Sequence, residues 1–237
     1  MTSKSTAHMR VVDHLGRMIA RGECGDLLPR EDDLVTTLAV SRTVVREATK
    51  TLQALGLVVT RPRVGSRIRP MAEWHLLDPM VMGWVCEVPV SPRLIRDILD
   101  MRAVIEPAAA AMAAMRANPE ERDGIAEALQ RMFAATDVQQ HMTADFDFHE
   151  RILAATGNAL LIQLAPVLQA VLSRSFKLSV RDAVTARESL EAHRDVADAI
   201  IAAEPETART AMHTLINRAR TDIESSGLAI DRPSFIR

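Results

Sequence analysis

From Pro92 to about Ser226 the apolar side chains recur at helical spacing. The pattern breaks only near Asn118-Pro119, Thr136–Gln140, Gly157-Asn158, Arg181–Thr185 and Glu204-Pro205. A stretch of this length with no alternating pattern cannot bury itself as sheet, so it predicts an antiparallel all-α bundle of about six helices joined by short connections. Composition agrees, because aromatics are 3% of the chain with no Tyr. The core must come from Leu, Ile, Val, Ala and Met, and Ala and Met lose little rotamer freedom in a helix.

The first seventy residues read differently. Met9, Val12, Leu15, Met18 and Ile19 make a helical stripe over His8 to Arg21, closed by Gly22 and Gly25. A short helix is expected over Glu31 to Leu38. A third runs from Arg42 to about Leu55, with Ser41 as its N-cap and Gly56 as its stop. Two β-like runs, Leu57–Thr60 and Ser66–Arg69, flank the basic tip Arg61-Pro62-Arg63-Val64-Gly65. Three helices and then a basic hairpin is the order of a winged helix-turn-helix. The fold class is therefore mainly α, an N-terminal winged helix-turn-helix followed by a C-terminal bundle. The expected boundaries are 1–70 for the head, 71–91 for a linker that packs, 92–227 for the helical effector-binding and dimerisation domain, and 228–237 for a tail.

The net charge of −2 does not mark the whole chain as a nucleic-acid binder. Residues 1–70, however, carry 12 Lys and Arg against 7 Asp and Glu, while the remainder carries 17 against 24. A basic head on an acidic body points to nucleic-acid contact at one end. Cys24 and Cys86 form neither a disulfide framework nor a zinc motif. With no signal-peptide core and no apolar run of membrane-spanning length, a cytoplasmic protein without membrane partners is expected.

A recognition helix meets base edges with its first residues. Arg42 and Arg46, four apart, share a face and suit guanine O6 and N7. Ser41 and Thr43 suit phosphate, while Arg61, Arg63 and Arg67 on the hairpin can follow the backbone or the minor groove. The expected DNA-binding set is Arg30, Ser41, Arg42, Thr43, Arg46, Arg63 and Gly65.

The run Leu28-Pro29-Arg30-Glu31-Asp32-Asp33-Leu34, then Val40 to Ala48, Leu52 and Leu55-Gly56-Leu57-Val58, resembles the GntR superfamily of transcription regulators across residues 8–70. The remainder of the chain is similar to the FadR-type branch, whose C-terminal helical (FCD) domain binds effectors. Members often carry a basic residue after the Glu of the Leu-Pro-x-Glu motif. Here Asp32 stands in that place, so one operator contact is missing. Trp74 to Pro79 with Gly83-Trp84 resembles regulators of sugar-acid catabolism, galactonate-responsive repressors among them.

Asp145 and His149 lie four apart on one helix face and can chelate a single ion. His193 precedes the Glu204-Pro205 break by about eleven residues and His213 follows it by about nine. If those helices fold back on each other, the two imidazoles reach the same height. The resulting three-nitrogen, one-oxygen set suits a divalent metal, zinc first, with nickel or manganese as alternatives. The metal-binding FCD domains are similar in having Asp and His four apart and two later His on successive helices. His8, His14, His75 and His141 fall outside this geometry. The resemblance also implies that Arg102 holds a carboxylate effector, with Arg174, Ser175 and Asn217 as further lining; Glu106, four residues on, could instead pair with Arg102 internally.

These expectations combine into a homodimeric regulator, a repressor in the first instance. Its two heads read palindromic operator DNA, and a small carboxylate (a sugar acid or hydroxy acid) bound at the metal controls operator affinity. The alternative is a metal-dependent enzyme acting on a small hydroxy acid with an accessory DNA-binding domain. No phosphate loop, no set-up nucleophile and no separate general base supports it. A third possibility is a purely structural metal.

Overall fold

The computed structural model describes the backbone of residues 2–62, 64–88, 92–170 and 183–225, and side chains of 7–62, 64–88, 92–170 and 189–225. The chain divides into two compact units, Met1–Pro89 and Val90–Arg237.

The first unit opens with α1 (Thr2–Ala20), which buries Val11, Val12, Leu15 and Ile19. Next come α2 (Glu31–Leu38) and α3 (Arg42–Ala54). Between them Ala39 takes a left-handed conformation, φ 51°, and the Ser41 hydroxyl caps α3 by accepting from the Val44 N–H at 3.3 Å. Val45, Ala48 and Leu52 turn the inner face of α3 into the core. Gly56 has φ +80°, and a Cβ there would come within 2.6 Å of the Glu73 carbonyl oxygen, so the position needs glycine on both counts. An antiparallel hairpin follows, β1 (Val58–Arg61) with β2 (Gly65–Ile68), in the register Val58 opposite Ile68 and Arg61 opposite Gly65. Each strand lies one residue nearer the tip than expected, and Leu27 adds a single bridge to Arg67. This is a winged helix-turn-helix.

Residues 71–88, expected as a linker that packs, carry regular structure and bury Trp74 and Trp84. A 3-10 turn at Met71–Glu73 leads into α4 (Pro79–Glu87), with Asp78 as N-cap accepting from Met80 N–H at 2.9 Å and Pro79 in the first turn. The helix buries Val81, Met82, Trp84, Val85 and Cys86. A helix apolar on every side has no amphipathic period to read, which is why the pattern concealed it. Trp84 lies over Gly16 of α1, and its Nε1–H donates to Asp13 Oδ1 at 2.8 Å.

In the second unit six helices are delimited among the described residues: α5 (Pro92–Arg116), α6 (Pro119–Ala134), α7 (Val138–Ala155), the short α8 (Ala159–Ile162), α9 (Ala183–Ile201) and α10 (Pro205–Glu224). Asn118 and Glu121 form a reciprocal capping box at the head of α6, and Asp137 and Asn158 cap α7 and α8. Helix α5 packs on α10 and α7, α6 on α7, and α9 on α10. Ala109, Ala110, Ala113 and Ala114 let α5 approach closely around Phe148, Ile152, Met132, Val196, Ile200, Met212 and Ile216. No helix of the described residues is long and apolar enough to cross a membrane.

Candidate nucleic-acid interface and candidate metal centre

On the head, Arg42 occupies the first turn of α3 and Arg46 the next, and both side chains are exposed. Each is held from the first turn of α2. Asp32 Oδ1 lies 3.0 Å from Arg42 Nη2, and Glu31 Oε2 accepts from Arg46 Nε at 2.9 Å. Thr43 is exposed beside them, Ser41 spends a lone pair on its own helix and keeps its O–H donor, and Arg30 is the exposed N-cap residue of α2. Gly65 opens β2 at φ +99°. Arg67 approaches Asp26 at 3.7 Å. Arg63 lies outside the described residues.

The second unit brings together Asp145 and His149 from α7 and His193 from α9, all buried, with candidate ligand atoms within 4.8 Å of one another. His193 Nε2 stands 3.0 Å from Asp145 Oδ1, and His149 Nε2 stands 3.8 Å from the same oxygen. The far side of each ring faces another oxygen. His193 Nδ1 donates to the Ser189 carbonyl at 2.7 Å, and His149 Nδ1 lies 2.9 Å from Glu106 Oε2. Phe148 meets both rings edge-on, at 5.6 and 5.3 Å between centroids.

Since a carbonyl can only accept, the Nδ1 of His193 carries a proton, and whenever the ring is neutral, as metal binding requires, its Nε2 presents a bare lone pair. That lone pair faces a carboxylate, and neither His193 Nε2 nor His149 Nδ1 has an aligned hydrogen-bond partner. In that neutral state two acceptors held 3.0 Å apart repel unless a proton or a metal ion lies beside both. For bonds of about 2.0–2.1 Å, neighbouring ligand atoms of one ion lie about 3.0–3.4 Å apart; the His193–Asp145 pair meets this at 3.0 Å, and His149 Nε2, at 3.8 Å, would have to move inward to share a divalent ion. An oxygen behind each metal-facing imidazole is the usual outer support of such a site.

Glu106, on α5, is a member that sequence reasoning considered only as a partner for Arg102. Arg102 is buried with it, Nε donating to Oε1 at 2.5 Å and Nη2 to Oε2 at 3.4 Å. Burial pushes the Glu106 carboxyl up, but the Arg102 guanidinium and the His149 ring overcome this and hold it at about 2. Asp145 is likewise raised by burial and brought down to about 2 by the His193 and His149 rings and by Arg102. His141, one turn before Asp145, is also within electrostatic reach. Burial lowers its pKa, Asp145 pulls it up and His193 pushes it down.

His213 is not in this group. It is exposed, bonded to Asn217 at 3.0 Å, and lines a groove with Ala103 and Pro107 of α5 and Thr210 of α10. The inward positions of α10 are Ala208, Met212, Leu215, Ile216 and Ile223. His213 follows Met212 directly and is therefore turned about 100° away, at 3.6 residues per turn. Of the four residues expected together, the structure gathers three, Asp145, His149 and His193. Asn217, expected beside the effector, is exposed with His213. Arg174 and Ser175 lie outside the described residues.

Comparisons with known proteins fall on the same two units. Residues 8–68 match the family described as “Bacterial regulatory proteins, gntR family”, and residues 97–218 match “FCD domain”. The chain is 32% identical over 211 residues to the galactonate operon transcriptional repressor of Escherichia coli (strain K12), covering 87% of this chain and 92% of that one. It is 29% identical over 213 residues to the “Probable D-xylose utilization operon transcriptional repressor” of Paenarthrobacter nicotinovorans, covering 89% and 85%. A solved structure described as “Lar controls the expression of the Listeria monocytogenes agr system and mediates virulence” shares the fold. Its TM-score is 0.66 at 16% identity, over 92% of this chain and 96% of that one.

Proposed function

Because this chain belongs to the gntR family of bacterial regulatory proteins and carries an FCD domain, we propose that it is a transcriptional repressor whose operator affinity is set by a small carboxylate bound at a divalent metal ion. Asp145, His149 and His193 would hold the ion, zinc first, with nickel or manganese as alternatives. The observation that carries this is the facing of both imidazole Nε2 atoms toward one carboxylate oxygen, with Glu106 and Ser189 behind the rings. When bound, the ion supplies open coordination positions to a carboxylate with a neighbouring hydroxyl. Glu106 takes the Nε and Nη2 edge of Arg102, so an effector carboxylate would be met by the other edge of the guanidinium. A sugar acid or other hydroxy acid is the class this chemistry suits, and the galactonate relative supports it. Two copies of the chain reading a palindromic operator would complete the device. Both relatives are repressors by name, and neither is an enzyme, so the enzyme reading has no support.

The deciding experiment is a thermal-shift screen of sugar acids and hydroxy acids on the purified chain, with zinc and with a chelator. An effector should raise the melting temperature only when the metal is present, and the same compound should weaken operator binding by the factor by which operator DNA weakens binding of the compound. Stabilisation indifferent to chelation would remove the metal from the effector site.

A further inference from the structure

Asp32 is an odd residue for a DNA-facing surface. A carboxylate near phosphates opposes binding, and the first turn of α2 already has Glu31 and Asp33 to complement the helix dipole. Its partner is Arg42, at the head of α3, with Oδ1 3.0 Å from Nη2. The two side chains are 70% and 66% exposed, so the pair contributes little to stability. What it does is geometric. A guanidinium at the head of the helix that reads DNA is held side by side with a carboxylate from α2. Arg42 has five N–H donors, and one contact through Nη2 leaves a two-donor edge intact. The Asp32 carboxylate, close to Arg42 through Oδ1, keeps lone pairs free to accept.

The two groups together present donor, donor, acceptor in a row. Across the major groove a G·C pair presents guanine N7 and O6 as acceptors and then the cytosine N4 amino group as donor. An A·T pair instead presents acceptor, donor, acceptor, then a methyl group. We propose that Asp32 and Arg42 read one G·C base pair as a unit, Arg42 donating to guanine N7 and O6 and Asp32 accepting from cytosine N4. Asp32 is thereby a specificity-determining residue, and its charge discourages Arg42 from settling on the phosphates of arbitrary DNA. The inference rests on the head being the DNA-binding part. Glu31 differs from Asp32 in gripping Arg46 at Nε, at the base of the guanidinium, and it serves as a control.

The test is selection of binding sites from a random duplex library by the full chain, repeated for Asp32→Ala, Arg42→Ala and Glu31→Gln, each checked for an unchanged far-ultraviolet spectrum. The wild type should enrich a G·C pair of fixed orientation at one position of each half-site. Asp32→Ala and Arg42→Ala should relax that same position, by roughly 5- to 150-fold in discrimination, while the neighbouring positions persist. Asp32→Ala should also bind random DNA more tightly, with a salt slope steeper by about one. Glu31→Gln should leave the position intact. If Asp32→Ala enriches the same base pair as strongly as the wild type, or relaxes a different position from Arg42→Ala, the paired reading is wrong. A wild type that enriches no sequence would overturn the DNA-reading head along with it.

Discussion

His193 Nε2 faces Asp145 Oδ1 at 3.0 Å without an aligned hydrogen bond, while Nδ1 donates to the Ser189 carbonyl, so with the ring neutral the two facing acceptors repel. A cation at that point relieves the repulsion, so metal binding should stabilise the native chain. With free zinc at about a hundred times its dissociation constant, linkage gives about 2.7 kcal/mol, or roughly 5–10 °C in melting temperature. His193→Ala and Asp145→Asn should each lose most of this zinc-dependent increment, whatever their melting temperature under chelation. Because His213 is exposed and tied to Asn217, His213→Ala should keep it. An increment that vanished in His213→Ala and survived in His193→Ala would invert the assignment.

Acid should undo the same region from the carboxylate side. Glu106 and Asp145 are both held at about 2, against ordinary values of 4.5 and 3.8. A carboxyl with a depressed native pKa stabilises the fold fully above its unfolded value, and that contribution drains away as pH falls toward the native value. In chelated protein the urea midpoint should therefore fall as pH drops through the window from about 4.5 to 2. Glu106→Gln leaves the buried Arg102 unpaired, which should cost about 3–5 kcal/mol at neutral pH and make the acid slope shallower. Equal slopes for the two proteins would mean that Glu106 is not held ionised by Arg102.

In the first unit the close approach of α1 and α4 can be tested through Gly16. A Cβ there would lie 2.5 Å from the Trp84 ring, and that ring is fixed by its bond to Asp13. Alanine in a helix interior gains up to about 1 kcal/mol over glycine, but overpacking against a pinned aromatic costs about 1–3. Gly16→Ala should therefore lose up to about 2 kcal/mol, read from denaturant midpoints. A stabilised variant would show that Trp84 yields.

The contrast between α3 and α4 shows which signals the chain carries locally. Ser41, the left-handed turn before it and Gly56 after it delimit the recognition helix by chemistry that lies within a few residues, so both its position and its outward arginines were legible. Helix α4 had a start signal of the same kind in Asp78-Pro79, but a run with no polar residue before Glu87 carries no period that would have confirmed it. In the metal group, the four-residue spacing of Asp145 and His149 is local and readable. Matching His193 with His213 by height settled only one coordinate of a helix. The other, rotation about the axis, follows from the inward stripe of Met212, Leu215 and Ile216. Glu106 meets His149 across 43 positions of sequence, and no local pattern announces that contact.

Arginine chemistry at the head of α3 supplies the last test. If Arg42 serves only as a positive charge, lysine should replace it. If it reads guanine, it needs two parallel donors in a planar fork, which an ammonium cannot offer. Arg42→Lys should then keep its affinity for random DNA and the salt slope near the wild-type value, since the charge near the phosphates is unchanged. Its preference for the operator over random DNA should fall by about 1–3 kcal/mol, the worth of one bidentate base contact. Titrating both duplexes at several salt concentrations separates the two outcomes. Equal weakening on operator and random DNA would assign Arg42 to the phosphate backbone, leaving Arg46 as the base-reading candidate on this helix.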